Sequence, residues 1–244
     1  MRLLLLAGTF EARHIAVALS RESFLSVTVS LARPDCQPQN YGWPVRIGGW
    51  DGEAAFRTFL DREGVEGIID ATHPFADGIT HRAARVAGEM DLPYVQFLRP
   101  AWIPTDADTW TFLNEEAEAA QHIPKDATVF LGTGRHRIEA FRNLSDRRLF
   151  CRVRDDLNEP FPFPGGRYMR QRGPHSVAEE VVTLRGLGID WMVTRNSGGQ
   201  GSWPKIEAAR ELGIPVAMIR RPPQPEGLKI TTVAEVLAWV RRRL

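Results

Sequence analysis

Three short loops carry residues whose types and spacing suit the binding of anions. The longest reads Arg195-Asn196-Ser197-Gly198-Gly199-Gln200-Gly201-Ser202-Trp203-Pro204-Lys205. Three glycines within four positions let backbone N–H groups turn toward one ligand. An apolar run at 189–193 precedes the loop, and 206–212 follows with a helical pattern. The order is therefore strand, glycine loop, helix, and the helix start adds partial positive charge. A cation is unfavourable in a first helical turn, so Lys205 there points to a bound anion. The plainer alternative makes Ser202 an N-cap and gives the glycines only the turn. Two further loops of the same kind favour the ligand.

The chain opens with the first of these. Apolar residues 3–6 run into Gly8-Thr9-Phe10-Glu11-Ala12-Arg13, and Ala12, Ile15, Ala16 and Leu19 follow at helical spacing. Strand, glycine turn and helix make the first unit of a dinucleotide fold, here with a single glycine, so the G-x-G-x-x-G match is weak. Thr9 also suits a plain N-cap, and Glu11 a first-turn acid. The second copy is the strand 127–131 followed by Gly132-Thr133-Gly134-Arg135-His136-Arg137 and a helix expected at 138–144. Three cations crowd that start, which again favours an anion over a bare solvated turn.

Two other strand ends add chemistry. Strand 25–31 ends in Ser30, Ala32 and Arg33, where an NAD site places Asp or Glu; a hydroxyl and a guanidinium suit the 2′-phosphate of NADP, with Asp35 close by as a dissenting acid. Strand 65–71 leads into Thr72-His73-Pro74-Phe75-Ala76, so Thr72 and His73 project from the carboxyl end of a strand, the edge where open α/β sheets bind ligands. His73, His136 and Tyr168 are the candidate proton donors.

The elements that position these residues alternate along the chain. Strands are expected at 45–47, 93–98, 110–113, 149–153, 168–170 and 215–219, and helices at 53–63, 78–90, 115–122, 177–187 and 231–243. Gly48 and Gly49 follow the strand at 45–47. The expected fold is α/β, with two Rossmann-like domains of mainly parallel sheets: residues 1–99, a proline-bearing linker at 100–109, and 110–244. The run 158–167, with Pro160, Pro162, Pro164, Gly165 and Gly166, reads as a loop, either a lid or an idle connection.

Bulk properties agree with a soluble globular chain: 244 residues, 43% hydrophobic, 25% charged, net charge +1. Nucleic acid is not implied, no run reaches membrane-span length, and a cytoplasmic location is the default. Cys36 and Cys151 have no metal spacing, and no disulfide is suggested. Only Lys125, Lys205 and Lys229 are lysines. The arginine excess fits either base composition of the gene or bidentate recognition of carboxylates and phosphates.

Read together, Gly8-Thr9-Phe10-Glu11-Ala12-Arg13, Asp70-Ala71-Thr72-His73-Pro74-Phe75-Ala76, Gly132-Thr133-Gly134-Arg135, Gly173-Pro174 and Asn196-Ser197-Gly198-Gly199 with Gly201 and Lys205 resemble the precorrin-6A reductase family of cobalamin (vitamin B12) biosynthesis. The resemblance runs in order over nearly the whole chain. Thr9-Phe10 stands where the family commonly has Thr-Thr, and His175 where it has Phe after Gly-Pro. The resemblance implies two Rossmann-like domains with the site in the cleft between them. It further implies NADPH-dependent reduction of the double bond between carbons 18 and 19 of metal-free precorrin-6A, giving precorrin-6B. A related branch takes the cobalt-containing substrate.

On this reading Gly8, Thr9, Phe10, Glu11 and Ala12 meet the pyrophosphate or ribose. Ser30 and Arg33 meet the 2′-phosphate, and Gly48 and Gly49 lie near the adenosine. Thr72, His73, Pro74 and Phe75 lie near the nicotinamide, and Asn196, Ser197, Gly198 and Gly199 close over part of the cofactor. Gly132, Thr133, Gly134, Arg135, Arg137, Arg170, Arg172, Arg195, Lys205, Arg220 and Arg221 face the substrate carboxylates. A monomer is expected, with transient contact to neighbouring pathway enzymes. Two other readings stay open: a non-enzymatic NADP-binding sensor, and an NADPH reductase of another anionic small molecule.

Overall fold

In a computed structural model the structure describes residues 1–33, 40–153, 159–171 and 173–243. The chain divides into two compact units, Met1–Pro100 with Pro222–Leu244, and Ala101–Arg221.

The first unit holds a six-stranded parallel sheet. Its strands are β1 (Arg2–Leu6), β2 (Ser26–Leu31), β3 (Val45–Ile47), β4 (Gly67–Asp70), β5 (Tyr94–Phe97) and β12 (Lys229–Ile230), in the order β12-β5-β4-β1-β2-β3. That order is the doubly wound 3-2-1-4-5-6 arrangement, with β12 in sixth place. The period-2 pleat sorts β1 between two cores. Leu3 and Leu5 join α1 (Phe10–Leu19) and α6 (Val233–Arg241) on one face. Leu4 and Leu6 join α2 (Gly52–Glu63) and α3 (Asp77–Glu89) on the other. Both faces are covered, so β1 is apolar throughout rather than alternating.

The second unit repeats the design. Its strands are β6 (Trp110–Leu113), β7 (Thr128–Leu131), β8 (Arg148–Val153), β9 (Arg167–Arg170), β10 (Trp191–Arg195) and β11 (Val216–Ile219), in the order β6-β11-β10-β7-β8-β9, again all parallel. Helices α4 (Val177–Gly186) and α5 (Pro204–Glu211) pack their Val181, Leu184, Ile206 and Ala209 on Phe130, Met192 and Met218. Here the sixth strand, β6, precedes the other five in the chain.

The boundaries differ from those expected. Residues 222–244 were assigned to the second domain, but β12 pairs with β5 and Trp239 of α6 lies fully buried in the first unit's core. An amphipathic pattern shows which helix face is buried, not which sheet buries it. Pro222 and Pro223, lacking N–H groups, end the run after β11 and free the chain to return. The segment taken as a linker, 100–109, lies within the second unit apart from Pro100.

Two expected α-helices are 3-10 segments, Glu116–Gln121 and Arg135–Leu144, the second broken at Arg137 and Phe141. The buried residues Ile138, Phe141 and Leu144 recur every third position, the period of a 3-10 turn. Ser202 is not the cap of α5; Trp203 takes that place and Pro204 the first turn, after a short 3-10 turn at Gln200–Ser202. Among the described residues no helix is long and apolar enough to cross a membrane, and no cluster of three His, Cys, Asp or Glu side chains could hold a metal ion.

Candidate active site

Parallel strands end on one edge, so each unit gathers its loops at the carboxyl edge of its own sheet. In the first unit Gly8 has φ +124°, and a Cβ there would meet nothing within 4 Å. The backbone conformation, not crowding, demands glycine at this turn. Thr9 caps α1 by accepting from Ala12 N at 3.1 Å, and its Oγ1 donates to Ala71 O at 2.8 Å, tying the loop after β1 to the end of β4. Phe10 is exposed, its ring edge-on to His14.

Two residues expected at the pyrophosphate have other work. Glu11 accepts from Arg99 at 2.6 Å, and both side chains are mostly covered. Ala12 is fully buried against the sheet, the close helix–strand contact that a third glycine serves in the dinucleotide fingerprint.

At the ends of β2 and β3 the structure brings forward a residue that the sequence reading missed. Arg46 of β3 lies beside Ser30 in register and donates to Ser30 Oγ at 3.2 Å. It also donates to the carbonyls of Gly48 and Gly49, and its guanidinium stacks 3.8 Å from the Trp50 ring centroid. Burial pushes the Arg46 guanidinium below its ordinary pKa. Ser30 is buried and Arg33 exposed. Asp35 lies outside the described residues. The signal in the sequence is an arginine inside a three-residue strand leading to Gly-Gly-Trp.

The end of β4 is built on Asp70, which has no exposure. Its Oδ1 accepts from Thr72 N at 2.9 Å and its Oδ2 from the Tyr94 hydroxyl at 3.0 Å. Burial, then the Asp70 charge, push the Tyr94 phenol far above its ordinary pKa. Thr72 Oγ1 meets Thr80 Oγ1 at 3.1 Å. His73 Nδ1 accepts from Phe75 N at 3.3 Å, which leaves Nε2 as the ring's proton-bearing nitrogen. Gln224, from the returning segment, donates to Pro74 O at 3.1 Å and is itself held by Gln96.

In the second unit, Gly132 N donates to Val193 O at 2.8 Å, so the loops after β7 and β10 start side by side. A Cβ on Gly132 would lie 3.3 Å from both Lys205 Cε and Thr194 Oγ1. Glycine here admits Lys205, which is 9% exposed with Nζ 5.6 Å from the Trp102 ring centroid. The buried Thr133 Oγ1 has no hydrogen-bond partner among the described residues. Arg135 opens the 3-10 segment, with His136 exposed beside it. Arg195 ends β10, and Arg220 follows β11 with its guanidinium 4.4 Å from the Phe112 ring centroid.

Asn196 does not face a ligand with its amide. Its Oδ1 accepts from Trp102 N at 2.8 Å and its Nδ2 donates to Trp102 O at 2.9 Å, all within the protein interior. The Asn196 carbonyl accepts from Arg221 Nε and the Gly199 carbonyl from Trp102 Nε1. Ser197 is buried, its N–H bonded to Arg195 O at 2.7 Å, and Gly198 completes this turn at φ +65°. Tyr168 is the second residue of edge strand β9, short of the carboxyl edge, and its ring packs on Phe161. Burial raises its phenol pKa, making it a weaker acid. Arg170 is exposed at the end of β9, and Arg172 lies outside the described residues.

Two parallel doubly wound sheets, with a glycine turn into a capped helix at the first strand and basic glycine loops on the second sheet, define a dinucleotide-fold protein with a second, anion-suited loop set. The model of the family Precorrin-6x reductase CbiJ/CobK matches residues 2–241, and the chain belongs to that family. It is 39% identical to a precorrin-6A reductase of Rhodococcus erythropolis over 98% of this chain and 97% of that one. It is 31% identical to a cobalt-precorrin-6A reductase of Priestia megaterium over 96% of each. A solved structure titled CobK precorrin-6A reductase superposes with a TM-score of 0.93 at 34% identity, covering 99% of this chain and 96% of that chain.

Proposed function

We propose that this protein reduces precorrin-6A to precorrin-6B with NADPH in cobalamin biosynthesis, saturating the bond between carbons 18 and 19. The observation that carries the reading is the full-length family match, which includes every loop described above. The residues at the first sheet's edge fit the cofactor. Gly8 leaves open space where a pyrophosphate would approach, and the end of β2 presents the Ser30 hydroxyl, with Arg46 of the neighbouring β3 bonded to it, in place of the acid that an NAD site uses.

When bound, NADPH supplies the hydride. Gly8 and the Thr9-capped start of α1 receive the pyrophosphate; Ser30 and Arg33 receive the 2′-phosphate. The Asp70-braced loop Thr72–Phe75 borders the nicotinamide. Gly132, Thr133, Gly134, Arg135, Arg137, Arg195, Lys205 and Arg220 hold substrate carboxylates. Hydride enters one ring carbon and a proton its neighbour. The electron-poor ring accepts the electron pair, so a weak acid suffices, and the proton comes from His73, His136 or Tyr168, or from water.

Arg33→Ala raises the NADPH Michaelis constant sharply and narrows the gap to NADH. An unchanged NADPH/NADH preference removes Arg33 from the role. Metal-free precorrin-6A is preferred over its cobalt complex in a side-by-side assay on this reading.

A further inference from the structure

We infer that Gln224 is a positioning residue for His73, acting through the peptide between Pro74 and Phe75. The inference rests on the reading above that the loop after β4 borders the nicotinamide, and it adds a residue to that site. One peptide unit is held at both ends. Its carbonyl, on Pro74, accepts from Gln224 Nε2 at 3.1 Å, and its N–H, on Phe75, donates to His73 Nδ1 at 3.3 Å. Ala76 N donates to His73 O at 2.7 Å and closes the turn around that peptide. Fixing the carbonyl fixes the N–H, because the peptide is planar. A hydrogen bond at the carbonyl also polarises the amide and strengthens its N–H as a donor.

The orientation of the Gln224 amide is dictated by its neighbours. Its Nε2 faces two carbonyls, Pro74 O and, at 2.8 Å, Pro222 O, and carbonyls only accept. Its Oε1 accepts from Gln96 Nε2 at 2.7 Å. Gln96 of β5 is 4% exposed, and its own Oε1 is buried with no hydrogen-bond partner among the described residues. A buried acceptor left unpaired is costly, so the fold gives up stability to keep the Gln224 amide one way round. What the arrangement secures is the His73 ring. A proton on Nδ1 would set two N–H groups against each other, so this bond favours the neutral ring with its hydrogen on Nε2. The buried carboxylate at the start of the loop, Asp70, is taken up by Thr72 N and the Tyr94 hydroxyl, and Asp77 and His81 of α3 meet each other at 3.1 Å. Beside a nicotinamide, which turns cationic as hydride leaves, a neutral imidazole adds no repelling charge.

The test has a spectroscopic and a kinetic arm, both on the full chain. Proton–nitrogen NMR of the histidine rings, without cofactor, reads the His73 tautomer, and a His73→Phe variant assigns its signals. Gln224→Glu keeps the shape and the acceptor for Gln96 but removes both donors; Gln224→Met removes every bond of the amide. Wild type is expected to show His73 as a single Nε2–H tautomer, and both Gln224 variants a mixture of the two. With NADPH and precorrin-6A, Gln224→Glu is expected to lower kcat about tenfold while the NADPH Michaelis constant changes by less than about twofold. In the His73→Phe background the same substitution is expected to change kcat by less than about twofold, because Gln224 acts through His73. The inference is overturned if wild type lacks the single Nε2–H tautomer or either Gln224 variant retains it. Wild-type kcat in Gln224→Glu overturns it too, as does an equal kcat loss with and without His73, which would make Gln224 a fold residue. Absence of NADPH oxidation by wild type overturns the substrate reading, and the tautomer then decides the inference alone.

Discussion

The Asn196 side chain closes a two-bond ring with the backbone of Trp102, accepting from its N–H at 2.8 Å and donating to its carbonyl at 2.9 Å. Both partners are buried, so the pair works as a strand-like bridge made by an amide. Asn196→Ala leaves a buried N–H and a buried carbonyl unpaired, each costing roughly 1–3 kcal/mol. Thermal unfolding is expected to fall by about 5 °C or more. A variant with wild-type melting but greatly weakened NADPH binding would show instead that the amide is a ligand group.

Cofactor choice is expected to depend on Arg46. By donating to Ser30 Oγ it turns the Ser30 hydrogen away from itself, toward an incoming acceptor, and it fixes the Gly48 and Gly49 carbonyls. Arg46→Ala should raise the NADPH dissociation constant about tenfold while NADH changes by less than about twofold. Equal losses for both cofactors would make Arg46 a fold residue only.

Much of this architecture was readable before the structure. The unbroken apolar run Leu3–Leu6 marked a strand covered on both faces, and the repeated glycine turns marked two sheets of one design. What escaped was long-range. Nothing local in Val233–Arg241 says that Trp239 packs against the first sheet, and nothing near Glu116 says that two arginines from 21 and 79 residues away will meet it. Asn196 was legible as a loop residue with a polar tip, but its partner lies 94 residues back in the chain. The 3-10 segment at Arg135–Leu144 did leave a local trace, apolar residues every third position, which a reading tuned to 3.6 passed over.

Acid sensitivity is expected at Asp108. Burial pushes its carboxyl pKa up, but hydrogen bonds from Arg210 and Thr105 outweigh burial and hold it below the ordinary value. A carboxylate depressed in the folded state stabilises above its unfolded pKa, about 4, and loses that contribution as pH falls through the lower folded value. Asp108→Asn should therefore melt below wild type at pH 7, with the gap shrinking below about pH 4. A gap independent of pH would assign the effect to packing.

Thiol chemistry should leave Cys151 untouched. It is fully buried on β8, and burial pushes its thiol up to about 12, so little thiolate exists at neutral pH. In a Cys36→Ser variant, a disulfide reagent should find no titratable thiol until the protein is unfolded. Rapid labelling of the native variant would contradict the buried placement of β8.

The most direct test follows the NADPH absorbance band anaerobically with purified protein and precorrin-6A. The account predicts substrate-dependent loss of NADPH, much slower with NADH, and formation of a product two hydrogens heavier. Tight NADPH binding with no oxidation in the presence of precorrin-6A would contradict it and leave a cofactor sensor in its place.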